Sequence, residues 1–206
     1  TIMQALDELG FHIPRLCYHP KLSMQGSCRV CIVEVEGMPN YVISCTFPIF
    51  EGIKIKTNTA ELRQARRDIV ELILDNHPGD CHTCEKDGDC ELQRLANSMG
   101  IRRRHFTGEM RQHHEEDDSS PAIVRDPDKC VLCGRCVHLC QQIQGISAID
   151  YADRGFKTVL TTAYNMPIKE SVCTTCGQCI NVCPMGLWWK RIIPGNCLRN
   201  YPRKIS

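Results

Sequence analysis

The chain has 206 residues, room for one or two ordinary domains, yet only 6% are aromatic while 16 are cysteine, so apolar packing alone does not hold it together. A formal net charge of +1 favours neither a nucleic acid nor an anionic membrane surface as partner. No apolar run is long enough for direct insertion into a membrane and no segment reads as a signal peptide, which points to the cytoplasm, where a reducing environment turns thiols away from disulfides and toward metal.

Thr1 and Gln4 match a capping box, Ile2, Ala5, Leu6 and Leu9 share one face, and Gly10 suits a C-terminal stop, so the chain is expected to open on a short helix. A cysteine-bearing loop follows. Val30 to Glu36 leans toward alternation, Gly37-Met38-Pro39-Asn40 punctuates, and Tyr41 to Ser44 is β-prone, which predicts a hairpin, with a further strand over Ile53 to Lys56. Asn58 and Glu61 look like the cap of a helix running to about Asn76, with Leu62, Ala65, Ile69, Leu72 and Ile73 as its buried stripe. His77 to Cys90 is a polar loop dense in potential ligands, and Glu91 to Met99 reads as a short helix ending at Gly100. The stretch containing Arg102-Arg103-Arg104 and His113-His114-Glu115-Glu116-Asp117-Asp118 has no apolar period; it reads as a surface connector whose histidines are solvated charge.

Cys130, Cys133, Cys136 and Cys140 have the spacing C-x2-C-x2-C-x3-C, and Cys173, Cys176, Cys179 and Cys183 repeat it before Pro184. In such a duplication three thiolates wrap one [4Fe-4S] cube and the fourth reaches the neighbouring cube. The expected ligand sets are therefore Cys130, Cys133, Cys136 and Cys183 for one cube, and Cys140, Cys173, Cys176 and Cys179 for the other. Gly134 and Gly177 let the backbone pass close to inorganic sulfide. Zinc, the competing reading, wants paired C-x2-C knuckles and gains nothing from a third cysteine in register.

Nearer the start, Cys17, Cys28, Cys31 and Cys45 give C-x10-C-x2-C-x13-C, with a longer first gap than the C-x4-C-x2-C of plant-type [2Fe-2S] ferredoxins. The surrounding helix, ligand loop and hairpin suit a β-grasp ferredoxin, while a zinc or mixed site stays open. In the third group Cys81, Cys84 and Cys90 are one thiolate short of a cube. His77 is the natural fourth ligand and His82 is expected to point outward; a zinc site of three cysteines and one histidine is the alternative.

The run H-P-x3-C-x2-C-x5-C-x-L-Q, preceded by C-x10-C-x2-C-x13-C and followed by the paired four-cysteine motifs, resembles the N-terminal iron-sulfur region of the large complex I iron-sulfur subunit. It is similar also to the diaphorase small subunit of NAD-linked [NiFe] hydrogenases and to the N-terminal region of [FeFe] hydrogenases. The resemblance runs from Thr1 to about Gly186. It implies an α+β fold of a truncated β-grasp [2Fe-2S] ferredoxin-like domain over 1–57, a small helical [4Fe-4S] domain with one histidine and three cysteine ligands over 58–100, a connector over 101–127 and a two-[4Fe-4S] ferredoxin-like domain over 128–186. The family's β-grasp has a hairpin before its first helix, and this chain starts at that helix.

The implied cofactors are one [2Fe-2S] and three [4Fe-4S] clusters, and the implied role is to carry electrons between a flavin- and NAD(H)-binding subunit and a hydrogenase or formate dehydrogenase-type catalytic subunit, alongside a small ferredoxin-like [2Fe-2S] subunit. Two further readings are the front of an [FeFe] hydrogenase and part of a complex I subunit. No Gly-rich dinucleotide fingerprint is present, so nicotinamide is expected to bind a partner, and no catalytic site is expected here. A zinc-stabilised interaction protein is the reading from a different class.

Residues 187–206 depart from this pattern. Both tryptophans stand side by side as Trp188-Trp189, and Cys197 has no partners in the motifs. Codons can be chosen for Gly186 to Gly195 that, one register over, spell Ala-Leu-Val-Glu-Lys-Asp-Tyr-Thr-Arg, an ordinary helical continuation. A reading-frame slip and a divergent tail are the two explanations; resequencing the gene separates them.

Overall fold

A computed structural model describes residues 1–102 and 113–191. The first helix, α1 (Ile2–Glu8), starts as its sequence dictates: the Thr1 hydroxyl accepts from the Gln4 backbone N–H, and the Gln4 side chain accepts from the Thr1 amine at 2.8 Å. Its inner face is Ile2, Met3 and Leu6. Leu9, expected on that face, is 71% exposed because the helix has already stopped at Glu8.

Strand β1 (Ile32–Val35) lies between β2 (Val42–Ile43) and β3 (Ile55–Lys56), antiparallel to both. Gly37, at φ +84°, makes the turn out of β1. Helix α1 covers this sheet, and Ile2, Met3, Leu6, Val33 and Val35 close a small core that also takes in Cys31 and Cys45.

Helix α2 (Ala60–Asp75) is capped by Thr59, not Asn58: the Thr59 hydroxyl accepts from the Leu62 N–H at 3.2 Å and donates to Glu34 at 2.7 Å. Its inner stripe also differs from the apolar pattern. Leu62, Arg66 and Val70, four apart, are buried; Ile69 and Ile73 are partly buried, and Leu72 is exposed. The cause is Arg66, whose guanidinium is held under the sheet by backbone carbonyls. After the ligand loop, α3 (Glu91–Ser98) packs on α2 and ends at Gly100, φ +66°.

The second half contains β4 (Ile123–Arg125), α4 (Arg135–His138) continuing as a wider helical turn to Ile143, β5 (Ile149–Ala152), β6 (Val159–Thr162), α5 (Gln178–Val182) and β7 (Trp188–Lys190). β5 pairs antiparallel with β6, and β4 with β7. The duplication in the sequence is visible in the backbone. Leu132 and Gly134 have φ +55° and +75°, Thr175 and Gly177 have +52° and +71°, and each glycine opens the helix that follows.

Two stretches pack more tightly than their composition suggests. The end of the expected connector is buried: Ile123, Val124 and Arg125 form β4, and Asp117 accepts from the Arg125 guanidinium at 3.3 Å and from the Ile168 N–H at 2.9 Å. Their strand partner lies far along the chain, beyond the reach of a local pattern. Arg103 and Arg104 are outside the described residues.

Leu187 and Trp188, expected to begin an atypical tail, are 2% and 1% exposed, and Trp188 stands opposite Arg125 in the β4–β7 pair. Residues 192–206 of that segment, including Cys197, are outside the described residues. One core joins Leu16, Leu22 and Val30 to Val70, Leu92 and Ala96, and on to Ile123, Leu160, Met185 and Trp188. Among the described residues, no helix is long and apolar enough to cross a membrane.

Trp188→Ala is expected to destabilise the chain by about 3–5 kcal/mol through the cavity it leaves. Urea unfolding checks this, and a midpoint equal to wild type would place the indole outside the core.

Candidate iron-sulfur sites

The described cysteines fall into four groups. In the first, the loop after α1 brings Cys17 beside Cys28, each backbone N–H donating to the other's sulfur at 3.5 Å. Cys45 stands against both Cys17 and Cys31. Hydrogen bonds from Cys28 and Cys45 hold Cys17 far below the ordinary thiol range, and those from Cys45 bring Cys31 down to about 6 against the opposing effect of burial. Cys28 and Cys45, as the donors, are pushed up. Four thiols packed this closely share protons because four neighbouring negative charges would repel; a cation-rich group removes that conflict.

The second group lies between α2 and α3. His77 is buried, and its Nδ1 lies 2.9 Å from the Pro78 carbonyl. A carbonyl only accepts, so Nδ1 carries the proton and Nε2 keeps the lone pair a metal needs. The Thr83 N–H and hydroxyl both donate to the Asp80 carbonyl, at 3.0 Å each, forming the turn that carries Cys81. Cys81 is exposed, while Cys84 and Cys90 are half-buried. Burial raises Cys90, the Gln93 and Leu92 N–H groups lower it, and the charges of Cys84 and Cys81 raise it again. His82 is exposed.

In the second half, Cys130, Cys133, Cys136 and Cys183 line one small cavity together with Leu160, Met185 and Leu187. Cys173 is raised first by burial and then by the charges of Cys140 and Cys176. Cys140 thus sits with the second triplet, and Cys183 with the first. Backbone N–H groups already aim at sulfur: Leu132 donates to Cys130 at 3.3 Å, Thr175 to Cys173 at 3.4 Å and Ala148 to Cys140 at 3.3 Å.

A chemical test of fit comes from donors that lack an acceptor. Gln25 Nε2, Arg135 Nε and Trp188 Nε1 are buried without a hydrogen-bond partner, and all three belong to residues around the Cys133–Cys136 segment. The Trp188 indole N–H is directed at Cys136 without closing a bond of normal geometry. Sulfide and thiolate acceptors of an iron-sulfur cube suit such donors.

The groups are also joined to one another. The Ser27 hydroxyl, beside Cys28, donates to the Cys133 carbonyl at 3.5 Å. The Gln25 amide lies so close over Gly134 that a Cβ there would run into it. On the other side, a Cβ on Gly186 would fall 2.6 Å from the Cys84 sulfur, and the Glu91 N–H donates to the Pro184 carbonyl at 2.8 Å. Arg135, between Cys133 and Cys136, makes a two-pronged bond to Glu91, next to Cys90, at 2.8 and 2.9 Å.

Comparison with known proteins places these groups in context. Residues 1–60 match the model of a 2Fe-2S iron-sulfur cluster binding domain, residues 66–105 that of the NADH-ubiquinone oxidoreductase-G iron-sulfur binding region, and residues 120–188 that of the NADH-quinone oxidoreductase subunit 3 ferredoxin-like domain. A chain from the crystal structure of NAD+-reducing [NiFe]-hydrogenase in the H2-reduced state superimposes with a TM-score of 0.85 at 31% identity, over 93% of this chain and 80% of that one. The chain belongs to the iron-sulfur family shared by NAD-linked hydrogenases and complex I.

Its 2Fe-2S and 4Fe-4S binding domains lie in a mixed α/β fold. NADP-reducing hydrogenase subunit HndD of Solidesulfovibrio fructosivorans is 43% identical over 191 residues, 90% of this chain and 32% of that protein. NADPH-Fe(3+) oxidoreductase subunit alpha of Geobacter sulfurreducens is 37% identical over 186 residues, 90% of this chain and 22% of that protein. The NADH-ubiquinone oxidoreductase 75 kDa subunit of Reclinomonas americana is 37% identical over 186 residues, 90% of this chain and 26% of its own. The chain therefore spans between 22% and 32% of the length of these curated relatives.

Three functional features escaped the motif reading: the Arg135–Glu91 pair, buried Arg66, and the close approach of Gly186 to Cys84. One signal pointed to the first. The duplicated motif carries Arg135 in its first copy where Gln178 stands in the second, and such asymmetry in a repeat marks a position with its own task.

Glu91→Gln is expected to destabilise the chain by about 3 kcal/mol, the low end for a buried pair because Glu91 keeps 32% side-chain exposure, whereas Arg135 is left at 6% without its anion. Denaturant unfolding of the iron-loaded protein checks it; unchanged stability would show that the pair joins nothing.

Proposed function

We propose that this chain is the cytoplasmic electron wire between a flavin- and NAD(H)-binding subunit and the catalytic subunit of a hydrogenase or formate dehydrogenase-type enzyme, in company with a small ferredoxin-like [2Fe-2S] subunit. The ligand sets are Cys17, Cys28, Cys31 and Cys45 for a [2Fe-2S] cluster; His77, Cys81, Cys84 and Cys90 for a [4Fe-4S] cluster; and Cys130, Cys133, Cys136, Cys183 and Cys140, Cys173, Cys176, Cys179 for two more. On this reading the first module is β-grasp ferredoxin-like, the second a small helical domain with one histidine and three cysteine ligands, and the third a two-[4Fe-4S] ferredoxin-like domain.

The observation that carries the proposal is the chaining of the groups. The cavity formed by Cys130, Cys133, Cys136 and Cys183 touches the first group through Ser27 and the second through Gly186, and it shares α4 and α5 with the fourth. Clusters, when bound, supply one-electron carriers whose potentials follow from charge, hydrogen bonds to sulfur and exposure. The residues set those variables. Burial keeps water from Cys133, Cys136 and Cys183, the N–H groups of Leu132, Ala148 and Thr175 stabilise thiolate, and His77 contributes a neutral ligand where the other sets have a fourth anion. Exposed Cys81 and Cys176 put two of the sets at the surface, where a partner can exchange electrons.

A second reading has a specific support. The hydrogenase subunit that is 43% identical is about three times as long as the matched region, which suits the front of a larger hydrogenase as well as a separate subunit.

Purified protein is expected to be brown, to hold roughly fourteen irons per chain and to give overlapping EPR signals after reduction. Iron near zero with stoichiometric zinc would sink the proposal. Mass spectrometry of co-purifying subunits identifies the catalytic partner: a [NiFe] pair marks a hydrogenase, a molybdenum or tungsten subunit formate chemistry. His77→Ala should lower the iron to roughly ten per chain, while His77→Cys should keep it and lower the potential of that one cluster. Full iron with an unmoved potential in both variants would remove His77 from the ligand set.

A further inference from the structure

Arg66 is 5% exposed, on the inner stripe of α2 between Leu62 and Val70. Its Nε and Nη2 donate to the Ile32 carbonyl at 3.1 and 2.5 Å, and its Nη1 donates to the Thr57 carbonyl at 2.9 Å. All three bonds go to neutral oxygen. Among the described residues no carboxylate pairs with it, in contrast to Arg15, Arg67, Arg125 and Arg135, each of which meets an aspartate or glutamate.

Removing a guanidinium from water costs several kcal/mol unless an anion repays it, and carbonyl dipoles alone are a partial substitute. Burial does work against the charge, and the group whose field offsets it is Cys31. Ile32, which takes two of the bonds, directly follows Cys31, so the guanidinium is fixed by backbone at the edge of the first thiol group.

We propose that Arg66 is the built-in counter-charge of the Cys17, Cys28, Cys31 and Cys45 site, holding up its reduction potential. The inference rests on that site taking a [2Fe-2S] cluster. Four thiolates make such a site net anionic, and reduction adds one more negative charge. A fixed cation nearby, shielded from water, stabilises the reduced state more than the oxidised one. Because His77 follows directly after the Asn76 cap of α2, the helix presents a cation to one site and leads into a neutral ligand of the next.

The test uses the whole chain with its clusters. Arg66→Gln keeps hydrogen-bond donors and removes the charge; Arg66→Lys keeps the charge and removes the planar fork. EPR-monitored redox titration follows the [2Fe-2S] signal, with iron and sulfide content measured in parallel. Arg66→Gln is expected to shift the one-electron equilibrium toward the oxidised form at least tenfold, about 59 mV downward, with the [4Fe-4S] potentials unchanged. Arg66→Lys should stay near wild type. Loss of the cluster in Arg66→Gln but not in Arg66→Lys supports the role equally, since charge is then what retains it.

A midpoint unmoved in Arg66→Gln, an equal shift in both variants, or cluster loss in both overturns it, because hydrogen bonding or packing then explains the residue. A wild-type chain without any [2Fe-2S] signal overturns the ligand assignment itself, a result distinct from a normal signal whose potential ignores Arg66.

Discussion

Thiols buried against one another in the second half of the chain resist ionisation, and that resistance shapes the module they line. Burial drives Cys136 well above its ordinary value, and it drives Cys133, Cys179 and Cys183 upward as well, with neighbouring sulfur charges adding to the shift for the first two. Burial of this kind favours the neutral thiol over the thiolate, and a cation-rich cluster, when bound, would make its binding energy part of the folding energy. The low aromatic content fits this arrangement, since the cavity walls are cysteine, leucine and methionine rather than stacked rings. Cys183 shows the geometry most directly: it lines a cavity whose other three cysteines come from the opposite end of the module, so the two ends of the module meet there.

The same constraint explains where charged residues are buried. A guanidinium inside a protein normally requires a carboxylate, and Arg135 and Arg125 have theirs in Glu91 and Asp117. Each of these pairs ties separate segments of the chain: Arg135 joins the ligand helix α4 to the start of α3, and Arg125 joins β4 to the Asp117 turn that also holds Ile168. Such pairs contribute register more than net stability, because desolvation offsets much of their attraction. Here register means the spacing between neighbouring thiol groups, which decides how readily an electron passes.

Much of this was legible in the sequence because iron-sulfur ligation fixes spacing, and spacing survives as motif. The matches to 2Fe-2S and 4Fe-4S binding domains and the capping box of α1 follow from residues within a few turns of one another. What was not legible depends on distant partners or on charge in an unexpected place. The pairing of Ile123–Arg125 with Trp188–Lys190 joins two short segments that carry no strand pattern long enough to read. The stripe of α2 was misjudged because a charged residue is normally assigned to the solvent face, and Arg66 sits on the inner one. Asn58 with Glu61 three residues on reads as the cap of α2, but Thr59 takes that place, its hydroxyl held also by Glu34.

The tryptophan pair brings these lines together. Trp188 fills the core behind Cys136, and Trp189 lies over the Lys129 ammonium at 5.3 Å, next to Cys130 of the same group. Backbone pairing to β4 needs only extended residues after Gly186, whereas Gly186 itself must stay small because the Cys84 sulfur occupies the space of a side chain. The two requirements act on different atoms. A strand of other residues at 187–190 would satisfy the first, whereas any side chain at 186 would have to displace the Cys84 sulfur. The unusual composition of this end is therefore compatible with an ordinary backbone, and the join between the second and third thiol groups rests on Gly186 rather than on either indole.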